Sequence, residues 1–184
     1  MKKFLKWFFI VLGAVILVAV IGFQIMKWNT KQHSPQDNVS LKTDDLQMEV
    51  VYSRPFKKGR KIFGELVPYG EVWRTGANEA TTFSTNEDLI IQGQTLPAGD
   101  YTLWTIPGPK EWTVIFNEGE YGWGVNWDGT ATRDPSLDVV KATARPQRSV
   151  KVLEQFTIDL MEEPLMMRLG WDVVRIDIPI EKAN

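Results

Sequence analysis

A chain of 184 residues with a formal net charge of −2 is long enough for one domain of ordinary size. It contains no cysteine, which excludes disulfides, thiolate catalysis, cysteine metal sites and the lipid attachment of bacterial lipoproteins. Five of its 21 bases precede the first acid, Asp37, which leaves 16 bases against 23 acids and a net charge of −7 beyond that point. Because nucleic-acid binding depends on basic side chains that contact phosphates, this acidic remainder predicts no nucleic-acid partner.

The N-terminal region contains an uncharged apolar run from Trp7 to Met26, which at 1.5 Å per residue spans roughly the 30 Å hydrocarbon thickness of a bilayer. A cleaved signal peptide is the alternative, but its apolar core is usually shorter and residues 19–22 fit its cleavage site poorly. We therefore expect a transmembrane anchor over 1–28, with the lipid bilayer as a partner. The three lysines before the run predict that the protein lies in the cytoplasmic (inner) membrane of a bacterium, with its C-terminal domain in the periplasm.

Residues 29–45 are polar and contain several charges, so they predict a flexible tether. Beyond them, over 46–184, short runs rich in β-branched and aromatic residues alternate with Gly, Pro and Asn, and no helical period is present. This pattern predicts an all-β domain of about eight or nine strands, packed as a two-sheet sandwich or jelly roll. The predicted strands are 46–53, 80–85, 89–92, 101–106, 112–117, 139–144, 150–160, 166–171 and 174–180.

A long connection from Arg54 to Thr82 carries most of the candidate ligand-binding residues, since loops of this length are often functional or form an ordered cap. Its first part has five bases in eight residues, which would suit a carboxylate, sulfate or phosphate, or would pair with nearby acids. The candidates in this loop are Arg54, Arg60, Glu65, Tyr69, Trp73, Arg74, Asn78 and Glu79.

Two of these groups have competing interpretations. Glu65, Glu71 and Glu79 would supply the acid and base of a glycoside hydrolase, or would be ordinary surface and structural glutamates. Arg74 and Asn78 flank a small-residue stretch, where they would contact a ligand or tie the loop to carbonyl oxygens.

A second region, residues 117–134, places Tyr121, Trp123 and Trp127 among glycines. Exposed aromatic rings on a β scaffold stack on sugar rings, whereas rings that face inward close one end of a sandwich. We include Trp123 and Trp127 among the binding candidates. The acids of this region lack the spacing of a calcium-binding loop.

The single histidine, His33, lies in the predicted tether, so the domain offers no imidazole for a catalytic triad or a zinc site. No phosphate-binding glycine motif is present. The sequence therefore predicts no metal and no cofactor, and leaves the presence of an enzyme activity open.

The run from Tyr52 to Pro107, with WRTGANEAT and LPAGDYTLWTIP as its most specific segments, closely resembles the bacterial exported family known as domain of unknown function 2911. The resemblance continues through EWTVIFNEGEYGWG. It implies a β-sandwich-like domain exported behind a signal peptide or membrane anchor, and it implies no reaction and no catalytic residues. The longer apolar run in this chain favours anchoring over release.

Together these features favour a membrane-anchored binding or interaction domain of the cell envelope. Its expected partner is an envelope glycan, an anionic small molecule or a protein. The alternative is a carboxylate-dependent enzyme that acts on envelope carbohydrate.

Overall fold

The computed structural model describes residues 2–183. The chain divides after His33 into two units, an N-terminal helix and a β domain. The helix, α1, runs over Lys2–His33 and exposes apolar side chains on all sides. It is long and apolar enough to cross a membrane, and none of its most apolar window is buried in the protein.

Within residues 34–183, the β domain contains eleven strands in three sheets. The strands are β1 Gln36–Lys42, β2 Gln47–Ser53, β3 Thr81–Thr85, β4 Leu89–Ile91, β5 Gln94–Leu96, β6 Gly99–Ile106, β7 Trp112–Asn117, β8 Asp138–Ala144, β9 Gln147–Met161, β10 Met166–Pro179 and β11 Glu181–Lys182. Six antiparallel strands form the largest sheet in the order β1-β2-β3-β6-β7-β8, while β9 and β10 form a hairpin and β11-β4-β5 form a small third sheet.

The inner face of the six-stranded sheet packs against the other two sheets around one main core. This core takes buried residues from all three sheets, including Met48 and Phe83, Ile91 of the small sheet, and Phe156 and Ile176 of the hairpin. The two layers confirm the predicted β sandwich.

The opposite, outer face of the six-stranded sheet carries a second, smaller cluster of Ala80, Trp104 and Ile115. Val72 and Tyr121, from the two long loops between strands, pack against it. Strand β6 is therefore buried on both faces, and its residues Tyr101–Thr105 are all buried.

The structure differs from the sequence prediction in the expected tether and near the C-terminus. Strand β1 lies within the segment 29–45, for which a flexible tether was expected, and pairs with β2 through seven residues. Its exposed and half-buried positions alternate without one fully buried side chain, so its apolar pattern is weak. The two strands predicted at 166–171 and 174–180 form one strand, β10, which is interrupted by register shifts around Asp172.

Candidate functional site

The two candidate regions meet on the outer face of the six-stranded sheet. The first loop, residues 54–80, runs along β6, where the backbones of Trp73 and Thr105 exchange two hydrogen bonds of 2.7 and 2.9 Å. The second loop, residues 118–134, lies beside it, and the amide of Ala80 donates to the carbonyl of Gly122 at 3.1 Å. Both loops are thus fixed to the sheet and to each other.

Trp73 belongs to the main core and not to the outer surface. Its ring stacks on Trp171 at a centroid distance of 6.1 Å and meets the edge of Phe156 at 4.9 Å. Its indole N–H donates to the carbonyl of Gly76 at 2.9 Å. These contacts give Trp73 a packing role in the domain.

Arg74 connects the two loops. Its Nη1 donates to the carbonyl oxygen of Trp123 at 2.8 Å, and its side-chain carbons pack against Gly124. Burial lowers the pKa of Arg74, and the charge of Glu79 opposes that shift. The sequence left two roles open for Arg74, contact with a ligand or a hydrogen bond that ties the loop to a carbonyl oxygen. The structure contains the second of these contacts.

Asn78 is buried and has a left-handed backbone with φ of 59°, a conformation that asparagine tolerates better than most residues. Its Nδ2 donates to the carbonyl of Ser34 at 3.1 Å, at the start of the β domain. The contact joins the end of the first loop to the beginning of the domain.

Arg54 and Arg60 also bind parts of their own domain. Arg54 donates to the carbonyl of Phe156 at 3.0 Å and forms an ion pair with Asp37 at 2.9 Å, so it joins β9 to β1. Arg60 donates to the carbonyls of Lys57 at 3.0 Å and Phe56 at 2.5 Å within its own turn.

Other charges of the first loop are paired as well. Lys57 binds Asp172 of β10 at 2.5 Å, and Lys61 forms an exposed ion pair with Glu65 at 3.0 Å. Tyr69 is partly exposed and lies against Gly64. Glu65 is thus paired in the turn before Tyr69, whereas Glu79 lies beside the charge of Arg74 on the outer face.

A buried polar network holds the second loop on the sheet. Asn117 donates to the carboxylate of Asp138 and accepts from the hydroxyl of Tyr121, at 2.8 and 3.0 Å. Asp138 also binds Arg133, and both side chains are nearly inaccessible. Burial opposes the ionisation of Asp138, but hydrogen bonds from Arg133, Lys141 and Asn117 together keep its pKa below the usual value.

Trp127 differs from every other candidate because its side chain is fully exposed. It lies at the tip of a turn in which the amide of Asn126 donates to the carbonyl of Thr130 at 2.8 Å. The Thr130 hydroxyl and amide donate to Asp128 at 2.6 and 3.0 Å and hold the pKa of this carboxyl below its usual value. An ordered turn therefore presents a large apolar ring to solvent.

Residues 34–180 match the family described as protein of unknown function (DUF2911). The chain belongs to this family. The DUF2911 match begins directly after α1 and includes β1, so this strand is part of the family domain. No curated protein and no solved structure matches the chain.

Within this DUF2911 domain, the structure brings together only some of the predicted site residues. Arg74, Glu79 and Trp123 lie on the outer face, whereas Arg54, Arg60, Glu65, Tyr69 and Trp73 lie elsewhere in the first loop and Asn78 is buried at its end. In residues 2–183, no group of three or more His, Asp or Glu side chains is placed to hold a metal ion.

Sequence reasoning missed an exposed basic and apolar segment on β9, where Val150 and Val152 face solvent. The available signal was the absence of acids between Asp138 and Glu154, a stretch that contains four bases.

Proposed function

We propose that this protein is a membrane-anchored binding domain of the bacterial cell envelope, and that Trp127 is the centre of its binding surface. The observation that carries the proposal is the full exposure of Trp127 on an ordered turn. Burial of a tryptophan removes about 150–250 Å² from water, which at about 25 cal/mol per Å² contributes roughly 4–6 kcal/mol before the costs of association.

The turn supports this role because its own backbone contacts fix its conformation. Its backbone is closed by the bond between Asn126 and Thr130, and its base is held by a β-bridge between Val125 and Ala131. Little backbone conformational entropy is therefore lost when Trp127 is covered, which favours binding.

The charge of the second loop favours a neutral ligand. The loop contains Glu118, Glu120, Asp128 and Asp134, while its single base, Arg133, is bound to Asp138. An anionic small molecule would be repelled here. A sugar ring can stack on the indole and bond to the side chains of Asn126 and Asp128, so a neutral envelope glycan is the proposed ligand class.

The placement of the domain in the periplasm belongs to the same proposal. It is supported by the helix that is long enough to cross a membrane and by the lysines at positions 2, 3 and 6 before its apolar part. A periplasmic domain would face the glycans of the envelope.

The test is calorimetric titration of the full chain in detergent micelles with a panel of neutral oligosaccharides. A Trp127→Ala variant should lose affinity about 30-fold or more for the ligand found, as is typical of a binding hot spot. Its midpoint of thermal unfolding should stay unchanged because the ring makes no contribution to the core. Val150→Ala removes an exposed apolar side chain outside the second loop and is the control. Absence of binding across the panel, or equal affinities of wild type and Trp127→Ala, would contradict the proposal.

A further inference from the structure

A second surface with a different character lies at the start of β9. Residues 139–153 contain four bases and no acid, although acids outnumber bases in the domain as a whole. Lys141 is paired with Asp138. The side chains of Arg145, Arg148 and Lys151 are exposed and have neither an ion pair nor a hydrogen bond within residues 2–183.

The register of the hairpin makes this segment protrude. Arg148 pairs with Val174 and Leu153 pairs with Asp172, so the four residues 149–152 lie opposite the single residue Val173. The extra residues form a large, irregular β-bulge on β9. Val150 is 98% exposed and Val152 is 59% exposed on this bulge.

Acids that lie near the bulge are bound by other groups. Asp172, opposite Leu153, accepts from Lys57 at 2.5 Å, and Glu154 accepts from the amide of Lys58 at 2.8 Å. On the neighbouring strand, Arg175 adds another base and donates to Gln147 at 3.0 Å. Glu154 keeps its charge, but the bases Arg145, Arg148, Lys151 and Arg175 outnumber it, so the local charge of the bulge is positive.

We propose that the bulge, Ser149–Val152 with Arg145 and Arg148, is a docking surface for the anionic headgroups of a lipid bilayer. Basic side chains are attracted to a negatively charged membrane surface, and exposed apolar side chains next to them gain by entering the interface. A free anion would use the bases but would leave Val150 and Val152 in water.

The membrane helix strengthens the choice of a bilayer as the occupant. A chain that carries a membrane-crossing helix keeps its domain at a high effective concentration near lipid, so weak docking by a few residues is sufficient. A second copy of the same surface is disfavoured because it would bring two positive bulges together.

The test uses the full chain reconstituted into vesicles, with a polarity-sensitive dye attached through Val150→Cys. The chain has no cysteine of its own, so the label is unique. In phosphatidylcholine vesicles that contain phosphatidylglycerol, the dye should move to a less polar environment and be quenched by spin-labelled lipid. Pure phosphatidylcholine should give little change, and about 1 M salt should reverse the effect because the screening length falls to about 3 Å.

The double variant Arg148→Gln/Lys151→Gln should lower the equilibrium constant for docking to anionic vesicles about 25-fold, at roughly five-fold per base. Lys42→Gln/Lys110→Gln removes two exposed bases outside the bulge and should leave docking unchanged. Trp127→Ala should also leave docking to anionic vesicles unchanged. Failure of the lipid-docking proposal can therefore be distinguished from failure of the glycan proposal. Equal dye signals in neutral and anionic vesicles would overturn the inference. A signal that depends on protein density and not on lipid charge would also overturn it, because it would indicate contact between copies of the chain.

Discussion

At the scale of single residues, Tyr52 shows how one polar group can join the two layers of the sandwich. The residue is buried, and its hydroxyl accepts from the amide of Ile158 at 2.9 Å and donates to the carbonyl of the same residue at 3.4 Å. Burial raises the pKa of Tyr52 to about 12. The folded chain therefore favours the neutral hydroxyl over the phenolate.

Tyr52 should make the stability of the domain sensitive to alkaline pH. Its pKa in the unfolded chain is about 10, so between pH 10 and about 12 the unfolded state loses a proton that the folded state keeps. Stability that is complete below pH 10 should therefore fall as the pH rises through this window. Denaturant unfolding of the full chain in micelles at pH 8 and at several alkaline pH values measures this dependence.

Tyr52→Phe is the matching variant. At pH 8 it should cost about 1–3 kcal/mol because the buried amide of Ile158 loses its partner. Its stability should depend less on pH between 10 and 12 than that of wild type, although Tyr101, whose pKa is also raised by burial, retains part of the effect. Identical pH dependence in the two proteins would show that Tyr52 ionises equally in both states.

At the scale of elements, the free edge of the six-stranded sheet is covered by two glutamine side chains. The side-chain amide of Gln92 donates to the backbone carbonyl of Thr143 at 2.5 Å and accepts from the backbone amide of Thr143 at 2.9 Å. The side chain of Gln94 makes the same two bonds with the backbone of Lys141, at 2.7 and 3.3 Å. These side chains make the hydrogen bonds to β8 that the backbone of a neighbouring strand would make. They satisfy backbone groups through which exposed edges associate with other chains.

Removal of both glutamines should open this edge. Gln92→Ala/Gln94→Ala is expected to cause concentration-dependent association, with a loss of about 1–3 kcal/mol in the unfolding free energy as several backbone bonds are lost. Light scattering coupled to size-exclusion chromatography measures the association. Gln36→Ala, at an exposed position of β1, is the control and should behave as wild type. A double variant that is monomeric at every concentration would show that β8 is protected by other means.

The elements also show where local sequence patterns are sufficient. Strands β3, β6 and β7 were predicted closely because they bury their side chains on at least one face and end at clear turn residues. Strand β1 was missed because its side chains are only half-buried and it is held mainly by backbone pairing with β2. The bulge of β9 was missed because a register shift depends on how β9 pairs with β10. The sequence of β9 alone does not contain this information.

At the scale of the whole molecule, the chain combines a helix that is long and apolar enough to cross a membrane with a DUF2911 domain. If α1 is an uncleaved anchor, the full-length chain should stay in the membrane fraction after washing with alkaline carbonate. A shortened protein in the soluble fraction would indicate a cleaved signal peptide. Mass spectrometry of the membrane-bound form distinguishes the two results.

The orientation can be measured in the same preparation. A single exposed cysteine, Thr95→Cys, should react with a membrane-impermeant maleimide in intact spheroplasts, because the domain is proposed to lie outside the cytoplasmic membrane. A second variant, Lys3→Cys, lies on the other side of the apolar run and should be protected. Reaction of Lys3→Cys alone would reverse the proposed orientation.

The amino-acid sequence alone determined the β class of the domain, the apolar helix that can cross a membrane, the family resemblance, and the positions of the two long loops. These features depend on composition and on the spacing of neighbouring residues. Only the tertiary structure decided which candidate side chains contact other parts of the same domain. Arg54, Arg74 and Trp73 contact residues that are far away in sequence, whereas the Trp127 side chain is fully exposed. Exposure and pairing are properties of the folded chain, because they depend on which distant residues the fold brings into contact.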